Sequence, residues 1–121
     1  MKILAVDDSS VMRRIMGNAV QLLGYELLEA GDGVSALKIL EKEYENIALI
    51  LLDWNMPQMN GPEFIKYYKA DDRFKNIPFM MVTTESDRQN VISAVKMGAI
   101  NYLCKPFTQQ DLTIKIMESL E

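Results

Sequence analysis

The 121-residue chain is long enough for one domain with its own core, and its 49% hydrophobic and 25% charged residues are typical of a globular protein. No apolar run approaches the ~20 residues that span a membrane, and Asp7-Asp8 comes too early for a signal peptide. The single cysteine excludes an internal disulfide. We therefore expect a cytoplasmic protein without membrane contact. The net charge of −4 argues against nucleic-acid binding, and the absence of histidine removes Ser-His and Cys-His nucleophile pairs and the commonest zinc ligands.

Apolar runs alternate with stretches of helical periodicity from the amino terminus onward. Residues 3–6 predict a buried strand, and Ser9 or Ser10 can cap the helix that follows it. Residues 25–29 predict a short second strand, after which Asp32 can cap a second helix. The residues predicted to face inward are Met12, Ile15, Met16, Ala19 and Leu23 in the first helix and Leu37, Leu40 and Tyr44 in the second.

The same alternation continues to the end of the chain. The further predicted strands span residues 47–52, 77–82 and 100–104. The first of these is wholly apolar, as expected when helices cover both faces of a sheet. Pro62 suits the first turn of a third helix, and Asp87 and Thr108 can cap a fourth and a fifth. The residues predicted to face inward are Phe64, Ile65 and Tyr68, then Val91, Ala94 and Val95, then Leu112, Ile116 and Leu120. Five βα units predict an α/β fold with a parallel sheet and helices on both faces.

Chemically capable residues follow four of the five predicted strands. Asp7 and Asp8 end the first strand, Asp53 the third and Thr83 the fourth, and Lys105 comes just after the fifth. Because sites in such sheets form beyond the carboxyl ends of the strands, these residues are predicted to meet at one edge.

Three neighbouring carboxylates repel one another unless a cation joins them, and an all-oxygen cluster suits Mg²⁺. A carboxylate can be the nucleophile in phosphoryl transfer, while a lysine and a hydroxyl stabilise the transferred group. The predicted chemistry is therefore phosphoryl transfer onto an aspartate. A simpler interpretation remains open for each residue alone, because strand-end aspartates often only cap helices or form turns.

With these residues, the chain resembles a response-regulator receiver domain over nearly its whole length. The resemblance rests on four motifs in order, which are Val6-Asp7-Asp8-Ser9, Leu52-Asp53-Trp54-Asn55-Met56-Pro57 with Asn60-Gly61, Val82-Thr83-Thr84 and Lys105-Pro106-Phe107. Within the family, the motif around Asp53 is most similar to the single-domain chemotaxis (CheY-like) regulators. The resemblance implies a flavodoxin-like (βα)5 fold with strand order 2-1-3-4-5.

The resemblance also implies a role for each site residue. Asp53 resembles the phospho-acceptor, Thr83 the hydroxyl that moves to bind the phosphoryl group, and Lys105 the lysine that pairs with it. Tyr102 matches the switch aromatic that turns inward when Thr83 is recruited. The Lys105-Pro106 bond resembles the family's cis peptide.

Two further sets of positions are implied in the same way. Asp7 and Asp8 resemble the acidic pair that holds Mg²⁺, or alternatively Mn²⁺, together with Asp53 and the main-chain carbonyl of Asn55, with Asp7 more often acting through water. Asn55 and Glu85 lie two residues beyond Asp53 and Thr83, at positions that tune how fast water removes the phosphoryl group.

The resemblance predicts a single receiver domain over residues 1–121, monomeric and without an output domain. It implies a histidine kinase as phosphodonor, self-catalysed phosphorylation and dephosphorylation, and a target such as a flagellar motor switch protein that binds the face of the fourth helix, fifth strand and fifth helix. Two alternatives remain open. One is a phosphorelay intermediate that passes the group to a histidine phosphotransfer protein, and the other is a small Mg²⁺-dependent phosphatase with an aspartyl-phosphate intermediate.

Overall fold

The computed structural model describes residues 1–84 and 88–121. The helices and strands, in chain order, are β1 (Lys2–Val6), α1 (Ser10–Leu22), β2 (Glu26–Ala30), α2 (Gly33–Glu43), β3 (Ile47–Leu52), α3 (Gly61–Lys69), β4 (Phe79–Thr83), α4 (Arg88–Lys96), β5 (Asn101–Cys104) and α5 (Gln109–Leu120). A short 3₁₀ turn, Tyr44–Asn46, joins α2 to β3. None of the helices in the described ranges is long and apolar enough to cross a membrane.

The five strands form one parallel sheet in the order β2-β1-β3-β4-β5. This confirms the α/β class predicted from the alternating pattern and the strand order implied by the resemblance. Because β3 lies in the middle of the sheet, its residues are covered by helices on both faces, and Leu49 to Leu52 are fully buried. The unbroken apolar run of β3 is the expected result.

Two core clusters fill the two sides of the sheet. Side chains of α1 and α5 pack on one face, where Met16, Ala19, Leu112 and Ile116 are fully buried. Side chains of α2, α3 and α4 pack on the other face, together with the inward-facing residues of the strands. Each strand supplies alternate residues to the two clusters, so both faces of the sheet are packed.

Side-chain caps explain where three helices begin. The Ser9 side chain accepts a hydrogen bond from the backbone N–H of Met12, and Asp32 caps α2 by accepting one from Ser35. Thr108 begins α5 in the same way. Such caps stabilise a helix by about 1 kcal/mol each. These findings select Ser9 over Ser10 and confirm Asp32 and Thr108, whereas the cap predicted at Asp87 lies outside the described residues.

Three strands begin one or two residues later than predicted, at Glu26, Phe79 and Asn101. The reason is clearest for β4, because Ile77 belongs to a turn in which its N–H donates to Phe74 and its carbonyl accepts from the Tyr68 hydroxyl. Ile77 is buried without being part of the strand.

The prediction that Val95 faces inward is wrong, because its side chain is 59% exposed. Ala94 is the only described residue of α4 that is buried, and Val91 is half-buried. A nine-residue helix that packs through so narrow a stripe leaves adjacent apolar positions in solvent.

Candidate functional site

The predicted residues meet at the carboxyl edge of the sheet. We call Asp7, Asp8 and Asp53 the acidic cluster, because a carboxylate oxygen from each lies within 4.8 Å of the others. Asp7 and Asp53 are buried, with 0% and 7% of their surfaces exposed, whereas Asp8 is exposed to solvent. Thr83, at the end of the neighbouring strand, is fully buried. The strand-end principle therefore predicted the positions of these side chains correctly.

Lys105 lies against two members of the acidic cluster. Its Nζ atom is 2.7 Å from Oδ2 of Asp7 and 3.5 Å from Oδ2 of Asp53. Its backbone N–H donates a 2.8 Å hydrogen bond to the main-chain oxygen of Thr83, which continues the pairing of β5 with β4. The peptide bond between Lys105 and Pro106 is cis, as the resemblance implied.

Asp7 is held by contacts on every side of the residue. Its backbone N–H donates to the main-chain oxygen of Ala30 at 3.0 Å, and its Oδ1 atom accepts from the backbone N–H of Ser9 at 2.9 Å. Oδ2 accepts from Lys105. Both oxygens of this carboxylate therefore have donors although the residue is fully buried.

The electrostatics at Asp53 are different. Burial raises the pKa of the Asp53 carboxyl group, and repulsion from Asp7 acts in the same direction. A hydrogen bond from the Thr83 hydroxyl, the charge of Lys105 and the backbone N–H of Trp54 lower the pKa but do not fully compensate. A second cation would favour ionised Asp53 further, so the acidic cluster fits a hard divalent ion with oxygen ligands, such as Mg²⁺.

A glycine holds the loop that follows Asp53. The backbone N–H of Gly61 donates a 2.9 Å hydrogen bond to the main-chain oxygen of Trp54. A Cβ atom at residue 61 would lie 2.6 Å from the main-chain oxygen of Asp53, closer than side chains approach backbone. Glycine is therefore needed for the start of α3 to pack against the end of β3. Asn60 and Glu63 complete this start with reciprocal capping hydrogen bonds.

The remaining predicted residues lie around this centre. Tyr102 is half-buried in β5 and packs against the core cluster on the side of α2, α3 and α4. Asn55 is exposed on the loop after β3. Glu85, predicted to tune dephosphorylation, lies outside the described residues.

Sequence reasoning missed Arg13 and Glu29, which form an ion pair beside the acidic cluster. Arg13 also contacts the main chain of Asp7. The sequence carried only a weak signal for them, namely a basic residue in the first turns of α1 and an acidic residue near the end of β2.

Asp53→Asn is expected to raise the free energy of unfolding of the metal-free protein at pH 7. Because the folded chain raises the pKa of Asp53, ionisation of this carboxyl costs stability that a neutral amide of the same shape does not. This cost is absent below the unfolded-state pKa and complete above the folded-state pKa, so the advantage of the variant should vanish below about pH 4. Urea unfolding with a chelator at several pH values measures it, and a variant that is less stable at pH 7 contradicts it.

Comparison with known proteins agrees with the fold. The model of the response regulator receiver domain matches residues 3–117. The chain is 51% identical over 117 residues to the chemotaxis protein CheY1 of Helicobacter pylori, covering 96% of this chain and 94% of the relative. It is 46% identical over 121 residues to the chemotaxis protein CheY homolog of Campylobacter jejuni, covering 99% and 92% of the two chains.

Solved structures give the same result. The chemotaxis response regulator CheY4 of Vibrio cholerae superposes with a TM-score of 0.89 at 35% identity, covering 98% of each chain. A CheX-CheY complex of Borrelia burgdorferi with BeF₃ and Mg²⁺ gives a TM-score of 0.90 at 25% identity, covering 98% of this chain and 87% of that one.

Proposed function

The chain belongs to the response regulator receiver domain family, and from that premise we propose that it is a CheY-like chemotaxis response regulator that accepts a phosphoryl group on Asp53. The observation that carries this proposal is the position of Asp53. It is a nearly buried carboxylate that accepts a hydrogen bond from Thr83, has Lys105 within 3.5 Å and belongs to the acidic cluster. A nucleophile, a cation and a hydroxyl donor are the groups that phosphoryl transfer requires.

The transfer itself is a displacement at phosphorus. A carboxylate oxygen of Asp53 attacks the phosphorus of a phosphohistidine on a partner histidine kinase. The P–O bond to Asp53 forms while the P–N bond breaks, and the electron pair of that bond remains on the imidazole nitrogen, which takes a proton from water. The buried site excludes most solvent around the carboxylate, so Lys105 and Thr83 act on the incoming group at low effective dielectric.

Lys105 and Thr83 respond to the new charge. The phosphoryl group carries nearly two negative charges and three acceptor oxygens, which attract the ammonium now shared between Asp7 and Asp53. The Thr83 hydroxyl, which already bonds Asp53, turns to a phosphoryl oxygen. Tyr102 then packs into the space beside Thr83. The packing of its neighbours on α4 and α5 changes when Tyr102 moves. This biases a two-state equilibrium of the face formed by α4, β5 and α5, which we call the output face.

The acidic cluster would hold Mg²⁺, or alternatively Mn²⁺, through Asp8 and Asp53, through Asp7 with water, and through the main-chain carbonyl of Asn55. When bound, the ion supplies charge neutralisation for the phosphoryl oxygens. The side chains of Asn55 and Glu85 tune how fast water hydrolyses the aspartyl phosphate. In this proposal the chain catalyses both its own phosphorylation and its own dephosphorylation.

The partners follow from this role. A histidine kinase supplies the phosphoryl group, and a downstream protein such as a flagellar motor switch protein binds the face formed by α4, β5 and α5. We propose that residues 1–121 act as one cytoplasmic receiver domain. A phosphorelay intermediate would use the same residues and differ only in its acceptor. The phosphatase alternative is not favoured, because such enzymes use two aspartates spaced two residues apart after the first strand, whereas Asp7 and Asp8 are adjacent.

Labelling with acetyl [³²P]phosphate tests the proposal. With Mg²⁺ present, we expect at most one acid-stable, base-labile phosphoryl group per chain and no turnover of phosphomonoesters. Excess chelator should abolish labelling, because the acidic cluster then lacks its cation. Labelling that is independent of the metal contradicts the proposed chemistry, and rapid turnover of a phosphomonoester would favour the phosphatase.

A further inference from the structure

The side chain of Arg13 joins the ends of two strands beside the acidic cluster. Its Nη1 atom donates a 2.7 Å hydrogen bond to the main-chain oxygen of Asp7, and its Nε atom donates a 3.0 Å hydrogen bond to Oε1 of Glu29. Arg13 lies near the start of α1, and Glu29 is the penultimate residue of β2. The guanidinium group therefore ties α1 to the ends of β1 and β2 at the edge of the sheet that carries the site.

Asp7 and Asp8 differ in what holds their carboxylates. The Asp7 carboxylate is buried and accepts hydrogen bonds from Ser9 and Lys105. The Asp8 carboxylate is exposed, and within residues 1–84 and 88–121 it forms no hydrogen bond or ion pair. Its main chain therefore sets the direction of the Cα–Cβ bond from which the carboxylate extends.

The main chain at Asp8 is oriented by the bond from Arg13. The carbonyl of Asp7 belongs to the planar peptide unit that leads into Asp8, so fixing that oxygen fixes the plane of the unit. A charged donor to a backbone carbonyl makes a stronger bond than a neutral one. Glu29 holds the same guanidinium from the other side, so the donor has little freedom to leave.

We propose that Arg13, anchored by Glu29, is a positioning residue that orients Asp8 towards a divalent cation in the acidic cluster. This role rests on the proposed function, because it requires that the cluster binds such a cation.

The charge of Arg13 makes the positioning role separable from a purely electrostatic one. A positive charge near the cluster repels a cation, so its removal should tighten cation binding if charge were all that mattered. Loss of the bond to the Asp7 carbonyl should instead weaken binding, because Asp8 would no longer be held in place. Glu29 lies 3.0 Å from Arg13 and offsets much of its charge, so we expect the positioning effect to dominate.

Isothermal titration of the full chain with MgCl₂ at constant ionic strength tests this role. Arg13→Gln is expected to raise the Mg²⁺ dissociation constant about tenfold, the scale seen when groups that orient metal ligands are removed. Arg14→Gln is the matched control, because Arg14 is an exposed neighbour on the same helix and the substitution removes the same charge. Its dissociation constant should stay within about twofold of the original, since the surrounding salt screens an exposed charge.

Glu29 provides a second pair of variants that leave α1 unchanged. Glu29→Ala removes the anchor of Arg13 and should raise the dissociation constant about threefold, a smaller effect than loss of the donor itself. Glu29→Gln removes the same charge but keeps an oxygen that can accept from Nε, so it should bind Mg²⁺ more tightly than Glu29→Ala. Thermal unfolding without metal checks that each variant is folded. If Arg13→Gln does not fold, the comparison of Glu29→Ala with Glu29→Gln tests the positioning role.

The outcomes separate this role from the proposed function. If the original chain binds Mg²⁺ and Arg13→Gln binds it equally well or more tightly, the positioning role is overturned and the proposed function stands. The role is also overturned if Arg14→Gln weakens binding as much as Arg13→Gln, or if Glu29→Ala and Glu29→Gln bind alike. If the original chain does not bind Mg²⁺, both the role and the metal-dependent function fail.

Discussion

Asp53→Asn is expected to reduce phosphoryl labelling of the chain by at least about a hundredfold, since it removes the covalent nucleophile. The amide retains the shape of the side chain and can still accept a hydrogen bond from Thr83, but it has no carboxylate oxygen that can form an acyl phosphate. Acetyl phosphate labelling at saturating Mg²⁺, followed by acid gel electrophoresis, measures the loss.

The other carboxylates of the site are poor substitutes for Asp53. Asp7 is fully buried and both of its oxygens are engaged, by the backbone N–H of Ser9 and by Lys105. Asp8 is exposed, and no donor within residues 1–84 and 88–121 contacts its carboxylate to stabilise an incoming phosphoryl group. Secondary labelling at either position is therefore expected to be slow.

Asp8→Asn is the matched control for this prediction. It removes one carboxylate of the acidic cluster while keeping Asp53, so it should lower labelling at limiting Mg²⁺ and recover at high Mg²⁺. Asp53→Asn should not recover at any Mg²⁺ concentration. Full labelling of Asp53→Asn would show that the phospho-acceptor is another residue and would overturn the assignment.

The positions of the principal site residues could be predicted because few physical rules determine them. Parallel strands place their carboxyl ends at one edge, and an apolar strand followed at once by a charge indicates where that edge lies. Asp7, Asp53 and Thr83 each follow such a run, and the structure brings them together. The helix caps at Asp32 and Thr108 could also be predicted, since each depends on one side chain and one backbone N–H close by in sequence.

Other features depend on tertiary contacts that no local pattern encodes. The pairing of Arg13 with Glu29 joins residues of two elements, and nothing in either segment indicates the partner. The need for glycine at residue 61 arises from the backbone of Asp53 and Trp54, which approaches only after folding. The start of β4 was misplaced because Ile77 is buried by a turn, and burial alone does not distinguish a turn from a strand.

The wrong prediction that Val95 faces inward bears on the proposed function. An apolar residue in a helical pattern is usually assigned to the core, but Val95 is 59% exposed and its neighbour Ile92 is 40% exposed. Ile114 on α5 is 46% exposed, and Tyr102 on β5 is half-buried. If α4, β5 and α5 form the output face as proposed, these side chains would supply apolar surface for a partner.

Val95→Asp is therefore expected to weaken binding of the chain, loaded with beryllofluoride and Mg²⁺, to a purified flagellar motor switch protein by at least about tenfold. The substitution places a charge where the partner would have to desolvate it, at a position already in solvent, so the fold should not change. Titration calorimetry with and without beryllofluoride measures the affinity, and acetyl phosphate labelling should stay the same because Val95 is not among the site residues.

Leu22→Asp is the control, since Leu22 is 70% exposed on α1, which lies on the other side of the sheet from α4. Equal binding by Val95→Asp, or equal losses from both variants, would place the output face elsewhere. Loss confined to Val95→Asp would instead show that the apolar surface of α4 belongs to the interface through which phosphorylation of Asp53 is read.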